Sequence, residues 1–320
     1  MLLVLDLMKW LKKALGKSGR KVAAELVTKG YIAAREGRLE SAQKLYHEAI
    51  DADDTLAVAY FNAGQTELEL CKRDYAALND AARVQRLSSA AWYLSQGLER
   101  DPTHAQSSRT LARVRERQQA FVAAVAAWTR TRESLAAAQP PADPADLEEA
   151  RREASRLQPF ADLEAALSTA RASLSSPHLD SVATALANLQ ETTERGAAAG
   201  IDEPPRLFTL LGALARKLGQ LDQARAFFET ASARDKHDIE ALRELATLCL
   251  AAGDMKTSLS TSMAAYRLDP LDAGLVCNVG VCHLALGDLA QAREFIVLAA
   301  AMAPEDPIVI RAAAALNLAD

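Results

Sequence analysis

Along most of the chain apolar residues return every three or four positions, the spacing that lines one face of an α-helix; stretches of alternating Val, Ile and Thr that would mark a sheet are missing. The pattern is clearest from residue 205 onward. Phe208, Leu211 and Ala215 mark one helix, and Ala224, Phe228 and Ala231 the next. Leu242, Leu245 and Cys249 are followed by Ser258, Ser262 and Ala265, and Val276, Val279 and His283 by Ala292, Ile296 and Ala299. Gly219, Gly253 and Gly287 fall where the first helix of each pair must end and the chain turn, a place that often needs a left-handed residue. Asp254 and Asp288 then serve as N-caps for the second helix. Asp238, Asp272 and Asp306 do the same for the first helix of the following pair, and Pro205 and Pro307 suit a first helical turn.

These marks recur with a fixed period of 34 residues: Gly212, Ala246 and Gly280; Ala224, Ser258 and Ala292; Ala231, Ala265 and Ala299; Pro270 and Pro304. Small residues such as Gly212, Gly280, Ala224 and Ala292 let two helices approach closely, and large ones such as Phe208, Phe228 and Ile296 fill the gap to the neighbouring pair. In period, residue type and position the segment resembles the tetratricopeptide repeat. The resemblance implies an all-α fold, an αα-hairpin solenoid wound into a right-handed superhelix, whose concave face is lined by the first helices and holds a peptide or helix of another protein.

The N-terminal third repeats the theme. Gly30 and Gly64 are again 34 apart, and a first unit runs through Gly37, Ala42, Tyr46 and Ala49. The second unit opens with Tyr60, Ala63 and Gly64, but its second-helix signature comes late, at Ala90, Leu94 and Gly97 with Pro102. The delay predicts an insertion of about 14 residues, near 72–85 and helical in character. From Ala105 to Ala138 no glycine or proline interrupts the chain. Leu111, Val114, Gln118, Phe121, Val125, Trp128, Arg132 and Leu135 form a seam like that of a coiled coil, although Ala112, Ala124 and Trp128 also fit a degenerate third repeat. A proline-rich loop spans 139–146, and further helices are predicted over 147–157, 160–174 and 179–195. The expected organisation is therefore a basic amphipathic helix over 1–22, a repeat pair over 23–104, a divergent helical region over 105–204, and a three-repeat array with a capping helix over 205–320.

Composition narrows the function. Hydrophobic residues make up 50% of the chain and aromatics 5%, so alanine and leucine, both good helix formers, carry the apolar content. A net charge of −5 gives no general attraction to nucleic acid. Cys71, Cys249, Cys277 and Cys282 lack paired CxxC spacing and read as buried reduced thiols. The five-residue spacing of Cys277 and Cys282 puts their sulfurs on different helix faces, which argues against a metal site with His283. Nucleophile elbow, Walker loop, dinucleotide fingerprint and HExxH motif are all missing, so no catalytic residue, cofactor or metal is expected.

The resemblance places a partner-binding groove on Arg206, Thr209, Arg216, Lys217, Glu240, Arg243, Thr247, Asn278 and Val281, and the arginines tilt it toward an acidic or C-terminal carboxylate ligand. The carboxylate clamp of chaperone-binding relatives is incomplete here. Arg243 and Asn278 stand at two of its positions, but Ile308 and Ala312 cannot supply the rest. In the first unit Val27 and Tyr31 replace the lysine and asparagine it needs, although Asn62 fits in the second. Arg109, Arg113 and Arg117 form a stripe that reads as a solvated helix face. Within the first twenty residues Asp6, Lys9, Lys13 and Lys17 share one helical face, with Leu7, Met8, Leu11, Ala14 and Leu15 opposite. Two roles fit that segment: a cover for the first repeat, or an anchor on a membrane surface. The expectation is thus a cytoplasmic, non-catalytic scaffold or adaptor that binds a partner protein, or alternatively an assembly factor for a cell-envelope complex, held at the inner face of a membrane by its N-terminal helix.

Overall fold

The computed structural model describes the backbone of residues 2–319 and the side chains of residues 19–317. Those residues form fifteen α-helices and no strand. They divide into two compact units, 1–165 and 166–320. The first holds α1 (Leu2–Arg35), α2 (Leu39–Ala52), α3 (Ala57–Arg73), α4 (Asp80–Arg100), α5 (Ala105–Arg117), α6 (Phe121–Ala136) and the larger part of α7 (Pro144–Ser173). The second holds the end of α7, then α8 (Leu179–Ala198), α9 (Leu207–Lys217), α10 (Leu221–Arg234), α11 (Ile239–Ala251), α12 (Met255–Leu268), α13 (Ala273–Ala285), α14 (Leu289–Met302) and α15 (Pro307–Ala319). Consecutive helices pack as hairpins, α1 on α2, α3 on α4, α5 on α6, α9 on α10, α11 on α12 and α13 on α14, and each hairpin packs on the next within its unit. This is an all-α repeat solenoid. The membrane-or-cover role of the N-terminal segment rests on side chains 1–18, which lie outside the described residues, and no helix of the described residues is long and apolar enough to cross a membrane.

The close approach of paired helices depends on small residues. A Cβ added to Gly212 would lie 2.7 Å from the Phe228 ring, and one added to Gly280 would lie 2.6 Å from Ile296 Cγ1. Phe228 and Ile296 are fully buried there, so the glycines set the depth of the crossing. In the hairpin between them Ala246 takes the glycine's place, and Ser258 Oγ donates to its carbonyl at 2.8 Å.

The same turn closes each of these hairpins. At Gly253, φ is +79°; its N–H bonds to Leu250 O and that of Asp254 to Cys249 O. The pattern recurs in the first unit with Gln119 in the glycine's place: φ is +57°, Gln119 N–H bonds to Glu116 O and Ala120 N–H to Arg115 O. Of the two readings of 105–138, a coiled-coil-like seam and a degenerate third repeat, the helices follow the second. The segment folds as a third hairpin, α5 and α6, with Trp128, Leu111, Ala112 and Ala124 in a single core cluster. Asparagine, aspartate and glycine are the usual tenants of a left-handed site, and glutamine there hides the turn from a sequence reading.

A second difference concerns α7. Two helices over 147–157 and 160–174 are expected around Pro159, yet one helix runs through it. Proline costs an internal helix bond and crowds the preceding turn, about 3 kcal/mol. Leu157, Ala161 and Leu163, on either side of it, are all buried, and their packing outweighs the lost bond.

Candidate functional site

In the C-terminal array the first helices α9, α11 and α13 belong to repeats 205–238, 239–272 and 273–306, and the residues expected to line the groove sit on them, apart from Arg206, which is the N-cap residue of α9. Their side chains do not form one open cationic strip. Arg206, itself left-handed at φ +59°, reaches Glu240 at 3.9 Å, and both are well exposed. Arg216 pairs with Glu244 at 2.9 Å. Thr247 turns its hydroxyl back to Arg243 O. Asn278 is half-buried, and Val281 packs against the core of the last repeat. Lys217 points away from its expected partners: its ammonium donates to the carbonyls of Ser173, Leu174 and Ser176, and so satisfies the open end of α7.

Thr209 and Arg243 share a second role that the sequence did not announce. Each is the fifth residue of its repeat, and each bonds to the aspartate that ends the repeat and caps the next first helix. Thr209 Oγ1 donates to Asp238 Oδ2 at 2.5 Å, while Asp238 Oδ1 accepts the Ala241 N–H. Arg243 pairs with Asp272, which caps α13 through the N–H groups of Gly274 and Leu275. Cys277 stands at the same place in the third repeat. Burial pushes its thiol pKa up, and the charge of Asp306 adds to the effect.

The first unit repeats the relationship in other chemistry. Val27 and Leu56 join one apolar cluster, and the ring of Phe61 stacks on His104 at 4.3 Å, whose Nδ1 accepts the Ser107 N–H as the cap of α5. At Thr209, Arg243 and Phe61 the fifth residue thus fastens one repeat to the next. Thr209 is buried by that contact and is not available to a partner.

A hollow remains beside these contacts. Leu167, Arg171 and Leu174 near the end of α7 face Arg206, Leu210 and Ala213 across a cleft of about 360 Å³, with Glu240 at one side. Arg171 has no acidic partner among the described residues. It escaped the sequence reading because α7 lies outside the 34-residue register. The Arg109 stripe, in contrast, is occupied: Arg109 pairs with Asp146 at 2.8 Å and Arg113 with Glu149 at 2.9 Å, so α5 and α7 are joined by their charges. All four cysteines are buried and free, and no group of three His, Cys, Asp or Glu residues suited to a metal occurs among the described residues.

Paired helices of fixed period, joined through capped junctions, define a helical-repeat protein. Residues 205–238 match the tetratricopeptide repeat family. No curated protein matches the sequence of the chain. Solved structures similar to it include YrrB, a tetratricopeptide-repeat protein with an unusual peptide-binding site, at 17% identity over 83% of this chain and 96% of that one, with a TM-score of 0.33. Pseudomonas aeruginosa pilF is similar at 11% identity over 93% of this chain and 99% of that one, with a TM-score of 0.32. A tetratricopeptide repeat protein from Parabacteroides merdae is similar at 13% identity over 93% and 99%, with a TM-score of 0.34.

Proposed function

We propose that the chain is a non-catalytic adaptor whose C-terminal unit holds an acidic segment of a partner protein, with one carboxylate seated between Arg171 and Arg206. The observation that carries this reading is the cleft between α7 and α9. There an arginine without an acidic partner and a second one only loosely paired stand over Leu167, Leu210 and Ala213. Guanidinium groups suit a carboxylate, and the apolar floor suits a neighbouring aliphatic side chain. The other cations of the groove are held by Glu244, Asp272 and the carbonyls at the end of α7, so they shape the surface and contribute less to capture.

A phage-displayed library of random dodecapeptides, selected against the full chain, tests the reading. Peptides with an acidic residue beside an aliphatic one are expected, and their affinity, followed by fluorescence anisotropy, should fall at least tenfold in the Arg171→Glu, Arg206→Glu double variant. If no selected peptide class loses affinity in the double variant, the assignment of this cleft fails.

A further inference from the structure

The α3–α4 hairpin is built to a different length from its neighbours. Its second helix has 21 residues, against 14 in each of α2, α10, α12 and α14, and its first has 17, against 13 in α5 and α11. The signature contacts are nevertheless kept: a Cβ on Gly64 would lie 2.8 Å from Leu94 Cγ, as at the other crossings. The extra residues therefore extend the hairpin at its turn, by about 10 Å on the α4 side. Gln118, at the end of α5, donates to Ser88 Oγ at 3.3 Å and holds the neighbouring hairpin against α4 beyond the added turns.

An open cleft of about 730 Å³ lies at this overhang. Its apolar surface comes from Val84, Leu87 and Tyr75, of which Val84 is 61% and Tyr75 57% exposed. Lys72, Arg83 and Arg117 supply its charge. Arg83 is fixed in place: it donates twice to Tyr75 O, pairs with Asp80 at 2.9 Å, and lies 4.2 Å over the Tyr75 ring. Asp80, the acid in the lining, is thereby neutralised, and its own side chain faces solvent. Lys72 shares Glu69 at 2.7 Å. Arg117 has no acidic partner among the described residues. The cleft thus combines an apolar floor, a rigid cationic wall and an uncompensated cation at its edge.

We propose that this cleft is a second binding site, and that its ligand is a linear segment of a partner protein carrying a leucine or aromatic side chain flanked by carboxylates. The apolar side chain covers Val84 and Leu87, and the carboxylates meet Arg117 and Lys72. The volume falls in the range of ligand clefts, of order 300–1,000 Å³. The apolar floor favours such a peptide over a small anion, which would leave Val84 and Tyr75 in water.

The same random dodecapeptide library, selected on the full chain, carries the test, with Arg117→Glu, Val84→Asp and the Arg171→Glu, Arg206→Glu double variant as comparators. Val84 and Arg117 are exposed, so their variants keep the fold, which far-ultraviolet circular dichroism and an unchanged melting midpoint confirm. The expected result is a peptide class with Leu, Phe or Trp between acidic residues, weakened at least tenfold by Arg117→Glu and by Val84→Asp and unchanged by the double variant. Three results overturn the proposal: no peptide class sensitive to Arg117→Glu, sensitivity to Arg117→Glu without sensitivity to Val84→Asp, or equal binding by short polyglutamate without any apolar residue. If every class found is lost only in the double variant, the α7–α9 cleft stands and this one is rejected, whereas a class lost only with Arg117→Glu and Val84→Asp does the reverse, so the two sites fail separately.

Discussion

Thr209 gives its hydroxyl hydrogen to Asp238, 29 residues further along the chain, and both side chains are almost wholly buried. The bond compensates a carboxylate out of reach of water while its other oxygen caps α11. Thr209→Val keeps the shape and removes the donor, so it should destabilise the second unit by about 1–3 kcal/mol. Asp238→Ala removes the cap as well and should cost about 1 kcal/mol through the helix end alone. Urea unfolding of the full chain measures both, and a Thr209→Val midpoint equal to wild type would show the bond to be idle.

Gly280 sets a second expectation. A methyl group at this position would meet Ile296 Cγ1 at 2.6 Å and Ile296 N at 3.1 Å, so the facing helix has to move for any side chain to fit. Gly280→Leu should destabilise the array by about 2 kcal/mol or more, with Gly280→Ala intermediate. The ordering wild type, alanine, leucine in urea midpoints is the readout, and a leucine variant as stable as wild type would place the crossing elsewhere.

The turn at Gln119 predicts a gain. A left-handed conformation costs a residue with a side chain about 1–2 kcal/mol, and glycine returns part of that through its freer unfolded state. Gln119→Gly should therefore raise stability by about 0.5–1 kcal/mol. Gly253→Ala, at φ +79° with open space around it, should lower stability by a similar amount through backbone strain alone. Thermal melts of the pair should move in opposite directions, and movement in the same direction would contradict the shared turn.

The thiols make a prediction in pH. Burial pushes Cys249 and Cys277 above the ordinary thiol value near 9, which keeps them neutral in the folded chain. Their contribution is complete below that value. As the pH rises past it the unfolded chain ionises first and stability falls. As the pH rises past about 9 the urea midpoint should drop more steeply in wild type than in a Cys249→Ala, Cys277→Ala variant. At pH 8 none of the four buried cysteines should react with an aromatic disulfide within minutes, whereas all four should react in guanidinium. Rapid modification of the native chain would overturn both statements.

How far the chain could be read in advance depended on where glycine and proline stood. The three hairpins of the second unit are marked by Gly212, Gly280 and the turn glycines, residues whose absence of a side chain is itself the signal. The α5–α6 hairpin carries the same geometry with Gln119 at the turn and Ala112 at the crossing, so only Ala112, Ala124 and Trp128 hint at it and nothing marks its turn. In α7 the proline spoke for a break that burial on both flanks overruled. The candidate site was less legible than the fold. Register places Arg206, Thr209, Lys217 and Arg243 on first helices, but where a side chain turns depends on partners far along the chain, Asp238 for Thr209 and the end of α7 for Lys217. Arg171 and the overhang at Val84 belong to stretches outside the period, where no repeat pattern could point to them.

The fastening of Thr209 and Arg243 to the following caps has a direction. Thr209 completes the cap of the repeat after it, and Arg243 does the same for the next, but nothing in that pattern runs backward. Loss of repeat 273–306 leaves Arg243 and Asp272 paired with no helix to cap, and α11 still begins on a supported aspartate. Loss of repeat 205–238 takes away both Asp238 and the threonine that steadies it, and leaves α11 beginning bare. The array is therefore polar as a mechanical object: fraying from the C-terminal side proceeds one repeat at a time, whereas damage at the N-terminal side is handed on to the repeat that follows.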